Sequence, residues 1–349
     1  MIKPADVAKL LGKTMPFVWT KLALSLISVA IVAGFFGLGA VFTTVEEIPL
    51  PIGFVLMGLG VLFGVLVQYF VVRSRWAATS ASHIAVLAEV LRTGQVPGRQ
   101  LDYGFSKILD RMDNMSTFAG ASNLVGAAIM QLQLRLQSVK NTSDKGILSA
   151  LGKIILRITI KYITPCCIGK IFYSHKFNKP QCIWKSTVDA LFMYKQSRKT
   201  ILFHGLKATA IVMGMTLGIG FVICLLLVIF LVSFGVWWMV FALAVAVVTA
   251  VAIKRALLDS WVLAYMLMLF FSTTKPPMAR QDDYSKLAAV SPAFKELATR
   301  AKIDTTIAKQ PPPMRAPGRI VAKGTIFCPT CGAKNPEGTS FCGECHSQV

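Results

Sequence analysis

The sequence predicts an all-α polytopic membrane protein, with four transmembrane helices in two hairpins, cytoplasmic amphipathic helices between and after them, and a small C-terminal unit. Three observations carry that prediction. Residues 208–253 hold no charged side chain at all. Hydrophobic residues make up 54% of the chain and charged residues 15%, with a mean hydropathy of +0.61. The formal net charge is nevertheless +21, and it gathers between the apolar stretches. A bilayer core of about 30 Å needs roughly 20 apolar residues in helical form. The uncharged run is therefore long enough for two spans, 208–232 and 236–253, with a break near residues 233–235. Soluble chains rarely go so far without a charge, because Lys and Arg are costly only where water is absent.

In chain order, residues 1–21 form a basic lead with Lys3, Lys9, Lys13 and Lys21 against Asp6. A cleaved secretory signal has a shorter apolar core and a small-residue cleavage site. The run 22–42 is long enough to span and reads as a retained first helix. The link 43–51 carries Glu46 and Glu47 and no base, and 52–72 is the second span, closed by Arg73 and Arg75. Basic ends on one side and an acidic link on the other place both ends of this first hairpin in the cytoplasm. Gly60 and Gly64, and again Gly214 and Gly218, repeat a small-xxx-small spacing that lets helix backbones approach closely in a bilayer. No span has a charge at its centre, which weighs against a proton-driven pump.

Residues 73–207 carry twenty Lys or Arg against six Asp or Glu, a balance of +14 out of the chain's +21. Within them, 81–93 places Ile84, Leu87, Val90 and Leu91 on one helical face and stops at Gly94 and Pro97. Val125, Ile129, Leu132, Leu136 and Val139 form a short heptad stripe suited to core packing. In 146–163, Lys153, Arg157 and Lys161 recur every fourth residue opposite Leu151, Ile155, Ile158 and Tyr162. Such a helix either lies in the headgroup layer with its cations toward anionic lipid, or packs on the protein with its basic face in water. Nucleic acid is the weaker explanation of the charge: no RNA- or DNA-binding motif is present, and the positive-inside rule accounts for it. Cys166 and Cys167, with His175 and Cys182 downstream, fit no standard zinc spacing and read as buried packing.

The second hairpin region, 208–271, ends with a further apolar run, 256–271, slightly short for a span. It reads as an interfacial or re-entrant helix, or as a cytoplasmic extension of the fourth span, with Asp259 one turn from Arg255. Residues 272–325 hold a short helix capped by Ser291-Pro292, with Phe294, Leu297 and Ala298 on its apolar face, and then a proline-rich linker. The last unit, 326–349, carries the sharpest motif of the chain. Cys328 and Cys331, then Cys342 and Cys345, form two CxxC knuckles whose four thiolates suit tetrahedral Zn²⁺ at a closed structural site. A unit this small lacks a core of its own, so the metal would supply its folding energy.

The run from Phe327 to Cys345, with its Cys-Pro-x-Cys-Gly and Phe-Cys-x-x-Cys elements, resembles the small zinc ribbon found at the ends of many bacterial membrane and regulatory proteins. That resemblance implies a zinc-ribbon fold and no particular activity; His346 stands where the family usually has glycine. From Cys166 to Leu297 the order of Cys-Cys, amphipathic segment, two-span hairpin, apolar helix and short post-membrane helix is similar to the carboxyl-terminal half of choline transporter-like proteins. That second resemblance implies a transporter or channel with a regulatory ribbon. The ribbon itself points to a scaffold in a bacterial cytoplasmic membrane, both termini cytoplasmic, that binds a cytoplasmic protein partner. No nucleophile–base pair or open metal position is readable, so the sequence points away from an enzyme.

Overall fold

A computed structural model describes residues 2–42, 50–67, 69–70, 73–112, 115–138, 147–173, 180–231, 236–274, 281–303, 325–327 and 334–336. Over these residues the chain is helical apart from one pair of short strands. A basic amphipathic helix, α1 (Pro4–Lys13), leads into α2 (Met15–Phe42), and α3 (Leu50–Val67) packs beside α2. Glycines set that approach. A Cβ added at Gly39 would lie 2.6 Å from Met57 Cγ and 2.7 Å from the Gly53 carbonyl, one at Gly64 would lie 2.8 Å from Val32 Cγ2, and one at Gly60 would overlap Phe35. Dispersion between closely packed backbones is what holds apolar helices together where lipid is the competing solvent.

The middle of the chain folds as α4 (Arg73–Thr93), α5 (Gln100–Met112), α6 (Met115–Ser138) and α7 (Ile147–Tyr173). Gly94, at φ +74°, ends α4 in the left-handed conformation that glycine adopts without a Cβ penalty. Ile84, Leu87 and Val90 are buried as their spacing predicts, but so are His83, Ala85, Val86 and Ala88. Thus α4 is enclosed on most sides and forms the middle of a helical body. Val125, Ile129 and Leu132 of α6 are buried in the same cluster, while the side chains of Leu136 and Val139 lie outside the described residues. Cys166 and Cys167 are free and fully buried, with their thiols toward the carbonyls of Tyr162 and Ala190.

Next comes α8 (Pro180–Leu231), 52 residues and about 78 Å of unbroken helix. Its first part belongs to the body: Val188, Leu191, Phe192, Tyr194 and Ile201 are buried. Its second part exposes Leu217 (71%), Phe221 (70%) and Phe230 (74%). A bilayer, not water, is the solvent for such a surface. The antiparallel α9 (Val236–Ile253) packs on α8 and on α2, and Gly220 meets Ala250 at that contact, 3.3 Å from an added Cβ. Gly214 and Gly218, by contrast, have nothing within 4 Å of an added Cβ, so the spacing read from the sequence marks no contact among the described residues.

A π-helical segment, Lys254–Leu258, joins α9 to α10 (Asp259–Thr273) without a break. The apolar run 256–271 enters the body rather than turning along it: Val262, Ala264, Met266, Leu267 and Phe270 are all buried, against α1, α4, α7 and α8. The chain then closes the body with α11 (Gln281–Val290) and α12 (Pro292–Arg300). Ser291 caps α12, accepting from the Phe294 N–H at 3.1 Å, and Gln131 of α6 accepts from Ser291 Oγ at 2.6 Å and from the Ala293 N–H at 3.2 Å. One hydrophobic cluster runs from Val7 to Ala301, and Phe294 at its end is fully buried. Farther on, β1 (Thr325–Phe327) pairs antiparallel with β2 (Lys334–Pro336), Phe327 opposite Lys334.

Among the described residues, three helices are long and apolar enough to cross a membrane: Met15–Gly39, Ile183–Phe230 and Trp238–Thr273. The helix Pro51–Gly64 is a shorter apolar one. The protein is thus helical and membrane-embedded, with a helical body continuous with its apolar helices.

Candidate functional site: a cation-lined cavity at the membrane boundary

Where the apolar helices meet the body, charged side chains join the exposed apolar ones. On α2, Lys21 lies between the exposed Trp19 and the exposed Leu26 and Ile27; on α8, Lys207 lies between the exposed Phe203 and Ile211. On the segment after α3, Tyr69 and Phe70 are exposed, the aromatic placement that favours a headgroup layer. A cavity of about 960 Å³ opens at this level, with Lys21, Tyr69, Arg157, Lys161, Arg255 and Asp259 among the residues that line it.

Asp259 is the hub. Its Oδ1 accepts from Lys254 Nζ at 2.8 Å and from the Tyr162 hydroxyl at 2.7 Å. The first of these contacts depends on the π turn. Residues five apart on an α-helix lie on different faces, but the wider π turn brings them together, and the Asp259 N–H itself bonds the Lys254 carbonyl. The simple i,i+4 pairing of Asp259 with Arg255 read from the sequence is replaced by this i,i+5 pair. Arg255 is exposed and lines the cavity instead.

Burial pushes Tyr162 up, with the Asp259 charge adding to it, so the phenol remains a donor. Burial also lowers Lys161 from the usual lysine range, opposed by Asp259 and assisted by the cations Lys254 and Arg255. That pattern places four charged groups near one another with a single carboxylate among them. Arg157 and Lys161 sit one turn apart on α7 and are exposed, whereas Leu156, Ile160 and Ile163 are buried, Ile160 at the cavity wall. The apolar face of α7 therefore packs on protein, and its basic face looks into the cavity. The side chain of Lys153, one turn earlier, lies outside the described residues. Pro165, also in the cavity wall, lacks the N–H that would bond the Lys161 carbonyl in a regular helix.

Lys21 links the cavity to the core. It is 3% exposed, and its Nζ donates to Ser260 Oγ at 3.1 Å and lies 3.0 Å from His83 Nδ1. Because Nδ1 accepts from Lys21, His83 carries its proton on Nε2, 3.1 Å from Thr14 Oγ1. The Thr14 hydroxyl in turn reaches the carbonyls of Leu10 and Leu11 at 3.4 and 3.3 Å. Phe17 stacks on the imidazole at 4.9 Å. Burial, and then the Lys21 charge, hold His83 well below the usual histidine value. A neutral, tautomer-fixed imidazole thereby orients a buried lysine at the cavity wall.

Of the cation stripe read from the sequence, Arg157 and Lys161 do converge on one place. Sequence reading missed Lys21, His83, Arg255 and Asp259 as their neighbours. Signals for them exist: Lys21 is the last charge before an apolar run, and Asp259 is the one acid among the apolar residues of 256–271. The zinc-ligand candidates Cys328, Cys331, Cys342 and Cys345 lie outside the described residues. The strands that are described fit such a unit, since β1 ends at Phe327 and β2 starts at Lys334, framing the first knuckle. No family model, no curated protein and no solved structure matches this chain.

Proposed function

We propose that the protein is a membrane-anchored scaffold that presents a zinc-stabilised ribbon to a cytoplasmic protein partner. In this reading α3, 18 residues and about 27 Å long, completes the first hairpin as a fourth span. Both termini and the helical body face the cytoplasm. Cys328, Cys331, Cys342 and Cys345 hold one Zn²⁺ as a closed structural site. Four thiolates supply folding energy and leave no position for a reacting water, so the metal shapes a surface for recognition.

The observation that carries the reading is the order of closure along the chain. The helical body is complete at α12, where Phe294 and Leu297 are fully buried, and beyond it β1 and β2 pair with each other. A ribbon joined through the proline-rich stretch 309–324 suits a tethered recognition unit. Close glycine packing between α2 and α3 favours an anchor over a transport path in that hairpin.

Replacing Cys328 and Cys331 by Ser in the full chain tests this. Elemental analysis should find one zinc per wild-type chain and none in the variant. The variant should insert, keep the thermal transition of its helical body in detergent within about 2 °C, and lose the partner captured by wild type. A zinc-free wild type, or a variant whose helical body melts early, would sink the scaffold reading.

A further inference from the structure

We propose that the boundary cavity is a site for one anionic phospholipid of the surrounding bilayer, its phosphate held by Arg157, Lys161 and Arg255 and its glycerol and first acyl carbons lying along Trp76, Phe118 and Met130. No residue of the ribbon takes part, so the site stands whether or not the ribbon binds a partner.

Charge is the first ground. Four cations and one carboxylate line the cavity, and that carboxylate already accepts from Lys254 and Tyr162. Among the described residues, none of the three salt bridges involves Arg157, Lys161 or Arg255. Cations converging on a partly enclosed space repel one another, and an anion placed between them relieves this. Arg157 and Arg255 can each offer a phosphate two parallel N–H donors, while Lys161 acts as a point charge.

Shape and position then choose the source of the phosphate. A volume of about 960 Å³ greatly exceeds a single phosphate ion and suits a ligand of roughly drug size. Trp76, Ile84, Phe118, Met130, Ile168 and Leu263 give the wall an apolar part that a free anion would leave unused. Tyr69, exposed just beyond α3, and Arg255, which follows the apolar α9, both line the cavity, so a headgroup of the surrounding bilayer lies within its reach. Basic pockets beside membrane helices on the cytoplasmic side hold headgroups in this manner. The 97% buried Lys21, fixed by His83 and Ser260, makes the wall a built one rather than a chance gathering of surface lysines.

The test uses full-length protein in detergent, titrated with phosphatidylglycerol, phosphatidylcholine or glycerol 3-phosphate and read by native mass spectrometry. Wild type should hold one phosphatidylglycerol per chain in preference to phosphatidylcholine. Changing Arg157, Lys161 and Arg255 together to Gln should weaken that binding roughly hundredfold, about fivefold for each cation removed. Ala127→Phe, which fills the cavity from the exposed side of α6 and leaves every charge in place, should weaken it at least tenfold on the order of a lost buried contact. Lys9→Gln with Lys199→Gln, on exposed positions that do not line the cavity, should leave it unchanged. Undiminished binding by the triple variant, or by Ala127→Phe should the triple variant fail to fold, overturns the site. Equal affinity for glycerol 3-phosphate overturns the lipid as its ligand and assigns it to a soluble anion.

Discussion

Lys21 and His83 solve one another's problem. A lysine 3% exposed needs acceptors, and a fully buried histidine is cheaper neutral than charged. The neutral ring gives Lys21 an acceptor at Nδ1 and uses its one donor on Thr14. The sign of the pH effect follows. His83 is depressed in the fold, so below its unfolded value of about 6.5 the unfolded chain takes up a proton that the folded chain refuses. Stability should be full above that value and fall as pH drops beneath it, by up to about 1.4 kcal/mol per unit until the folded ring titrates. His83→Gln keeps an acceptor for Lys21 and a donor for Thr14 but cannot titrate. Thermal unfolding in detergent between pH 7.5 and pH 5 should therefore show a steeper loss in wild type than in His83→Gln. Parallel curves would show that His83 carries no such linkage.

Among elements, the glycines of α3 and α8 look alike in sequence and differ in the fold. Gly60 faces Phe35, whereas Gly218 faces open space. Gly60→Ala should cost about 1–3 kcal/mol by overpacking the α2–α3 contact. Gly218→Ala should be neutral, or stabilising by up to about 1 kcal/mol, since it only removes a flexible residue from a helix. Melting of the two single variants in the same detergent separates these, and equal losses would show that Gly218 has a helix partner after all. The contrast explains what was legible. Helix type and the apolar runs follow from composition and period, which the chain carries locally; so do the Ser291 cap and the Gly94 stop. Which face of α8 meets α9 depends on the whole packing, and spacing alone cannot report it. The π turn at Lys254–Leu258 was illegible for a related reason: nothing in five residues marks it, and it decides that Asp259 meets Lys254 rather than Arg255. Two of the three cations of the α7 stripe, Arg157 and Lys161, line one cavity, but the other charged residues of its wall come from α2, the π segment and α10, far away in sequence.

For the molecule as a whole, the charge is placed on one side of the apolar helices. Lys21, Arg157, Lys161 and Arg255 line one cavity, and Lys254 stands next to Arg255 where the apolar α9 ends. Proposed orientation follows from that asymmetry, with the body and both termini in the cytoplasm. A membrane-impermeant thiol reagent on intact cells should leave Cys328 and Cys342 unlabelled, and should label them once the membrane is permeabilised. Labelling of either residue in sealed cells would reverse the orientation.

The two helices of the second hairpin enter the body as single rods. From Pro180 to Leu231, and from Val236 to Thr273, neither has a loop at the boundary that could act as a hinge. Leverage is the consequence. A bilayer that thins or thickens changes the tilt of the helices it holds. For a rigid rod, a change of about 5° over roughly 35 Å moves the far end by about 3 Å, a distance comparable with two helical residues. That displacement arrives at α10 and at the first part of α8, among the tightest packed side chains of the body. Among the described residues, the departure from α-helical geometry in these rods is the π turn, and its Arg255 stands at the wall of the cavity.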